Sequence, residues 1–308
     1  MMPDSPNRTG LRRILLAALM AFPLGCLAQD DLVWNALDPE NTVYLELQEG
    51  TVVIQLNPVF APKTVEHFKQ LIKDQFYLGT SFYRVIDGFV AQAGDGSDID
   101  GSVADKPLEA EFEIDWPLEP EDQEEAEGWK PMSWTLVQKD DMFAPFTGFI
   151  DGFPAARDDD KAGKVWLTHC PGIVAMARND DPDSGSTDFY IVIGQAPRYL
   201  DRNLTVFGRV VWGMDVVQRI KRGPALKNGI IEDDLERSWI KQVRLASSLD
   251  TAQRLDIYVA DTNSEGFVKM LDGRRDRKQK FFHHKPPRVL DVCQVPIPAR
   301  LEKPWVPR

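Results

Sequence analysis

The sequence predicts a mainly β protein, an antiparallel barrel or sandwich closed by short helices. Short apolar runs alternate with period two, turn residues separate them, and only two segments between residues 41 and 247 show helical spacing. The first strand pair starts at Thr42, where Val43, Leu45 and Leu47 alternate with Tyr44 and Glu46. Glu49-Gly50 then turns the chain into Val52, Ile54 and Leu56. Pro62 stands where a first helical turn tolerates a missing N–H, and Val65, Phe68, Leu71 and Ile72 make one apolar helical face. Alternation returns from Ser81 to Gln92. Further strands follow at Gly172–Ala177, Asp188–Ile193 and Thr205–Trp212. A short amphipathic helix is expected at Met214–Ile220, and a last strand at Ile240–Leu245.

The ends of the chain differ from this middle. Residues 1–28 read as a secretory signal: Arg8, Arg12 and Arg13 precede an apolar stretch from Ile14 to Gly25, and Cys26-Leu27-Ala28 offers small residues before a cleavage at Gln29. A second reading makes Cys26 the acylated residue of a lipoprotein. Either reading implies export, to a periplasm, and leaves Cys170 and Cys293 where a disulfide persists. After Ser248 the composition turns basic, with 12 Lys and Arg against 8 Asp and Glu in residues 249–308. Six prolines from Pro286 to Pro307 speak against long regular elements there. We therefore expect a leader (1–28), a β domain (41–247) and a C-terminal extension (248–308).

The net charge of −12 over 308 residues is unevenly placed. Between Asp98 and Lys130 there are 13 acidic and 2 basic residues, so an acidic segment is inserted within residues 98–164. Trp116, Trp129, Met132 and Trp134 punctuate it, which predicts partial packing onto the core. Asp98-Ile99-Asp100-Gly101 hints at a calcium loop, but Gly96 and Pro107 occupy its first and twelfth positions, so the pattern fails. An acidic chain lacking a basic face argues against nucleic acid as a partner. Beyond the leader, no apolar run reaches the ~18–20 residues that a membrane span requires.

Most catalytic constellations are missing. The sequence has no GxSxG, HExxH, phosphate loop or GxGxxG after a strand. His283-His284 sits in the basic, Pro-flanked tail, where a solvated pair is the simpler reading than a metal site. His169-Cys170 could suggest a nucleophile and base, yet adjacent residues rarely face one another and no supporting Asn or Asp is evident. No metal and no cofactor is expected.

One stretch stands apart: Phe82-Tyr83-Arg84-Val85-Ile86-Asp87-Gly88-Phe89-Val90-Ala91-Gln92-Ala93-Gly94-Asp95 places an arginine within an apolar alternating run. This stretch resembles the signature of the cyclophilin-type peptidyl-prolyl isomerases. Ala61 to Phe68 resembles that family's first helix, and Pro171–Ala177, Gly185–Ile191 and Val206–Val210 resemble its later strands in the same order. The resemblance spans about residues 42–247 and is interrupted by the acidic segment. It implies a closed, eight-stranded antiparallel β-barrel capped by two α-helices, acting on Pro-containing unfolded or partly folded polypeptides.

The chemistry of that family suits these residues. Rotation about an X-Pro amide faces a barrier of ~18–20 kcal/mol and needs no nucleophile, only a donor near the prolyl nitrogen and an apolar seat for the ring. By resemblance, Arg84 is the catalytic arginine, Phe89 and Val90 are pocket floor, and Gln92 orients the substrate backbone. Ala177 and Arg178 take the place of the edge that pairs with the substrate, with Arg where Asn is usual. Tyr190 and Leu200 match a pocket Phe and Leu. Three departures stand out: Tyr199 where many members have Trp, Leu204 where they have His, and Asp188 where Gln is usual. The alternative to an enzyme is a non-catalytic cyclophilin-like module that binds Pro-peptides or acts as a chaperone. A Cys170–Cys293 bridge would pin the extension to the barrel, with two free thiols as the other reading.

Overall fold

The computed structural model describes residues 31–96, 107–117 and 131–302. The leader, Cys26, Asp98–Gly101 and the acidic run from Glu119 to Glu127 lie outside the described residues.

Successive side chains on a strand face opposite ways, and the chain uses that alternation to separate an inner core from an outer one. After β1 (Trp34–Ala36) comes the first hairpin, β2 (Thr42–Leu47) and β3 (Thr51–Leu56). Val43, Leu45, Leu47, Val52, Ile54 and Leu56 share one core, while Tyr44 and Val53 pack on Leu249 and Ile257. Leu47 and Gly50 exchange backbone hydrogen bonds across the turn, where Gly50 has φ of 140°. In α1 (Pro62–Lys73), Val65, Phe68 and Ile72 are buried, and Phe68 meets the rings of Tyr77, Phe189 and Phe207. The helix lacks a side-chain cap of its own. Instead, the Lys63 and Thr64 amides each donate at 2.9 Å to the carboxylate of Glu111, an anion delivered to a helix N-terminus from the inserted segment.

Two strands follow, β4 (Ser81–Ile86) and β5 (Val90–Gly94), and then the chain leaves for an excursion. It comprises β6 (Ile114–Asp115), β7 (Thr135–Lys139), β8 (Phe146–Ile150), β9 (Phe153–Arg157) and β10 (Lys164–Leu167). The chain then returns in β11 (Ile173–Met176), β12 (Phe189–Val192), β13 (Val206–Trp212), α2 (Met214–Val217) and β14 (Ser238–Leu245). The eight strands β11-β12-β5-β4-β14-β2-β3-β13 form a closed antiparallel barrel, with β13 pairing back to β11. Closure leaves no sheet edge unpaired. The second helix is shorter than the apolar spacing of Met214–Ile220 implied, although Val216, Val217 and Ile220 all reach the inner core.

The excursion is itself a sheet, ordered β6-β10-β9-β8-β7. The barrel is re-entered only at Ile173, so β10, which starts at the expected end of the insertion, belongs to the inserted sheet. The tail also differs from expectation. It holds β15 (Ile257–Ala260), the 12-residue helix α3 (Glu265–Asp276) and β16 (Ala299–Leu301). Prolines halt regular structure only from Pro286. Before them, Ser264 caps the helix by accepting from the Phe267 amide, while Phe267 and Leu271 are buried. Ser264-Glu265 followed by Phe267, Met270 and Leu271 is the local sequence signal for this helix.

Insertion and tail meet through apolar and hydrogen-bonded contact. Phe149 and Phe267 cross edge to face at 5.6 Å, Thr135 Oγ1 donates to the Thr262 carbonyl at 2.7 Å, and Arg275 donates to the Val137 carbonyl at 2.6 Å. Trp116 and Trp134 pack here as their spacing suggested, with the Arg157 guanidinium 3.5 Å from the Trp116 ring centre. Charge complementarity between the acidic and basic segments is not what joins them among the described residues. Cys170, just before β11, is bonded to Cys293 of the tail, 123 residues away.

Candidate active site

A row of facing residues crosses four neighbouring strands on the outer side of the barrel. Arg84 on β4 is opposite Gln92 on β5, Gln92 is opposite Tyr190 on β12, and Tyr190 is opposite Ala175 on β11. The residues between them in sequence, Ala91, Ala93, Val174 and Ile191, belong to the inner core. Adjacent strands lie about 4.8 Å apart, so the register alone brings a cation, an amide and an aromatic ring side by side.

The polar half of the row is fixed by hydrogen bonds. Arg84 Nη1 donates to Gln92 Oε1 at 2.8 Å and Arg84 Nε to the Asn228 carbonyl at 3.3 Å. Gln92 Nε2 donates to the Tyr83 hydroxyl at 2.7 Å, and that hydroxyl donates to Asp188 Oδ2 at 2.7 Å. A register shift between Phe82 and Arg84 marks a bulge at Tyr83, which lets neighbouring Tyr83 and Arg84 both reach Gln92. Asp188, the departure from the family pattern, is buried and anchors this chain; it leaves no room for a Cβ at Gly94, which would fall 1.6 Å from its Oδ1. The guanidinium is only partly buried and held by two acceptors, which leaves Nη2 without one among the described residues.

The apolar half comprises Phe89, Val90, Ala177, Tyr190 and Leu204, which fall in one hydrophobic cluster. Gly88, at φ of 71°, makes the turn that sets Phe89, whose amide donates to the Ile86 carbonyl at 3.1 Å. Leu200 is not in this cluster. It lines a neighbouring groove with Leu204 and Arg178. Arg178 is tied to loop carbonyls of Asn203, at 3.0 Å, and Asn179, at 2.6 Å, so its side chain fastens two loops together. Tyr199 is 68% exposed on the turn Arg198–Leu200.

Behind the row lies a buried network that sequence reading missed. Asp201 Oδ1 accepts from the His169 amide at 2.8 Å and faces His169 Nδ1 at 3.1 Å. Nδ1 therefore carries the proton in the neutral ring, and His169 Nε2 accepts from the Tyr190 hydroxyl at 2.8 Å. Burial, with the Asp201 charge adding, pushes the Tyr190 phenol well above its ordinary value, so it stays a donor. His169 is paired with tyrosine and aspartate, and Cys170 is in a disulfide, which removes a Cys–His nucleophile from consideration. His283 and His284 belong to no metal-binding group among the described residues. The signal available in sequence was the tyrosine itself: a hydroxyl in a buried strand demands a partner.

The family model for cyclophilin type peptidyl-prolyl cis-trans isomerase/CLD matches residues 42–243. The chain belongs to the cyclophilin-type isomerases. It is 30% identical over 225 residues to a probable peptidyl-prolyl cis-trans isomerase of Brucella suis, covering 70% of this chain and 88% of that relative. The human peptidyl-prolyl cis-trans isomerase-like 1 is 29% identical over 189 residues, 60% of this chain and 82% of its own. Among solved structures, the crystal structure of cyclophilin AquaCyp293 from Hirschia baltica superposes with a TM-score of 0.67 at 29% identity, covering 87% of this chain and 93% of that one. That coverage is wider than residues 42–243. This cyclophilin is therefore a peptidyl-prolyl cis-trans isomerase whose likeness to a bacterial member reaches beyond the barrel. No described helix is long and apolar enough to cross a membrane.

Proposed function

We propose that this cyclophilin isomerises X-Pro bonds of exported polypeptides, with Arg84 as the catalytic donor and Phe89, Val90, Tyr190 and Leu204 as the seat of the proline ring. The row Arg84–Gln92–Tyr190 carries the reading, because it puts an oriented guanidinium two strands from an apolar cluster. A planar X-Pro amide resists rotation because the prolyl nitrogen shares its lone pair with the carbonyl. As the amide twists, that lone pair localises on nitrogen and becomes a good acceptor. An N–H of Arg84 then donates to it, more strongly in the twisted state than in either planar isomer, which lowers the barrier. Arginine suits the task because it stays charged and its donors are rigid. Gln92, locked between Arg84 and Tyr83, keeps the guanidinium from swinging away. The proton inventory does not change during the reaction.

Export is supported by the leader-like residues 1–28 and by the Cys170–Cys293 bond, since disulfides persist in oxidising compartments such as the periplasm. The test of mechanism is Arg84→Ala in a proline-peptide isomerisation assay. We expect kcat/KM to fall about 10²–10³-fold, the scale for removing a transition-state donor, with the circular dichroism spectrum retained. Equal rates would overturn the role of Arg84.

A further inference from the structure

The insertion and the tail build a second groove beside the candidate prolyl site, and none of the roles assigned above accounts for it. It has a volume of about 830 Å³ and runs between the β7–β8 hairpin tip, the loop 195–198 and the tail residues 289–294. Its lining is apolar yet open to solvent: Met142 is 89% exposed, Val289 57% and Phe143 50%. Grouped apolar exposure of this kind on a folded chain marks a contact surface. The hairpin tip is nevertheless well ordered by its own bonds. The Asp140 amide donates to the Pro145 carbonyl at 2.8 Å, and the Phe143 amide to Asp141 Oδ1 at 3.0 Å.

Two further features say what would lie there. The rim is acidic, with Asp140 and Asp291 exposed, while Asp141 is turned in towards Arg198. The single lining cation, Arg198, is only 4% exposed, is paired with Asp201 at 2.6 Å and Asp141 at 3.6 Å, and lies 5.2 Å from the Phe143 ring centre. Its Nη2 is buried and has no acceptor among the described residues. The groove also lies beside the isomerase site, separated from it by the one-turn element Arg198–Leu200. Arg198 lines this groove, Leu200 lines the neighbouring one with Leu204, and Tyr199 stands exposed between them. A polypeptide crossing Tyr199 passes from one to the other.

We propose that this groove is a secondary subsite for the same polypeptide substrate, holding an apolar side chain next to a basic one in the stretch that flanks the isomerised proline. The proposal rests on the reading that places the prolyl site at Arg84. It makes this isomerase selective for extended, unfolded clients over short peptides, and selective by charge.

The test compares a short blocked proline peptide with peptides extended from the same core by about six residues on one side or the other, roughly 20 Å of chain. Each extension carries Leu beside Lys, or Leu beside Glu. The enzyme variant is Met142→Ser with Phe143→Ser, both at exposed positions of the tip. We expect the short peptide to be turned over at an unchanged rate, and KM for one of the Leu-Lys extensions to rise about tenfold, the scale of losing a buried anchor. On the unaltered enzyme, the Leu-Glu extension should bind several-fold more weakly than Leu-Lys, and Asp140→Asn should shrink that gap. Unchanged KM for both extended peptides in the double variant would overturn the subsite. Failure of the underlying reading is separately visible, because Arg84→Ala would then leave turnover of the short peptide intact.

Discussion

The inner core of the barrel and the outer body built on it are held together by different means. The barrel closes on itself, so every strand has two partners and the inner core is a continuous apolar filling from Val43 to Leu245. The outer body gathers an N-terminal strand, an insertion and a tail, and its two sheets, of three and five strands, are both open. Its hydrophobic cluster extends from Phe149 and Phe267 to Val90 and Tyr190, so the outer body packs against the barrel face that carries the candidate site. A closed sheet needs no staple. An open assembly of distant segments uses one, here Cys170–Cys293, together with cation–aromatic contacts such as Arg300 of the tail on Trp34 of the N-terminal strand.

That contrast can be broken or sharpened by experiment. The largest effect is expected from Phe267→Ala, which empties a fully buried position between α3 and β8. It should cost about 3–5 kcal/mol. Tryptophan fluorescence, which draws on Trp34, Trp116, Trp134 and Trp166 of the outer body as well as Trp212 and Trp239 of the barrel, should then show a transition before the barrel's far-ultraviolet signal is lost. Coincident transitions would show that both bodies form one cooperative unit. Removing the disulfide by Cys293→Ser comes next. It opens a loop of 123 residues and should lower stability by ~2–4 kcal/mol, read as a shift in denaturant midpoint, while the short-peptide kcat/KM stays near that of the unaltered enzyme. A loss of activity as large as the loss of stability would mean that the staple also shapes the site. The smallest change is Tyr190→Phe. It leaves the ring but strands His169 Nε2 without its donor, at a cost of ~1–2 kcal/mol. In a His169→Phe background, where that acceptor is gone, the same substitution should cost measurably less; equal costs would argue against the coupling.

The barrel was legible because its signals are local. Period-two alternation assigns Val43, Leu45, Leu47, Val52, Ile54 and Leu56 to one side without any tertiary information, and the structure puts all six in one core. The motif from Phe82 to Asp95 likewise sets Arg84, Phe89 and Gln92 in one stretch by resemblance alone. The strands of the insertion were less legible because their neighbours are acidic and β9 is buried along its whole length, which removes the in–out alternation. The helix Glu265–Asp276 was obscured by prolines that follow it at a distance. His169 and Asp201 could not be found from spacing, since they lie 32 residues apart and are joined only where the loop between β10 and β11 meets the turn after Arg198–Leu200.

Composition and alternation thus dictated a mainly β protein, barrel or sandwich, the resemblance implied the closed barrel and its chemistry, and the uneven charge marked where foreign segments enter and leave. The net charge of −12 said little about the site, whose proposed donor is a cation. Which residues are neighbours across the barrel face, how Asp188 and His169 are used, and how insertion and tail combine into a groove depended on the folded state. The reason is physical. Periodicity is a property of consecutive residues, whereas a hydrogen-bond partner or a groove wall is set by packing between segments that the chain keeps far apart.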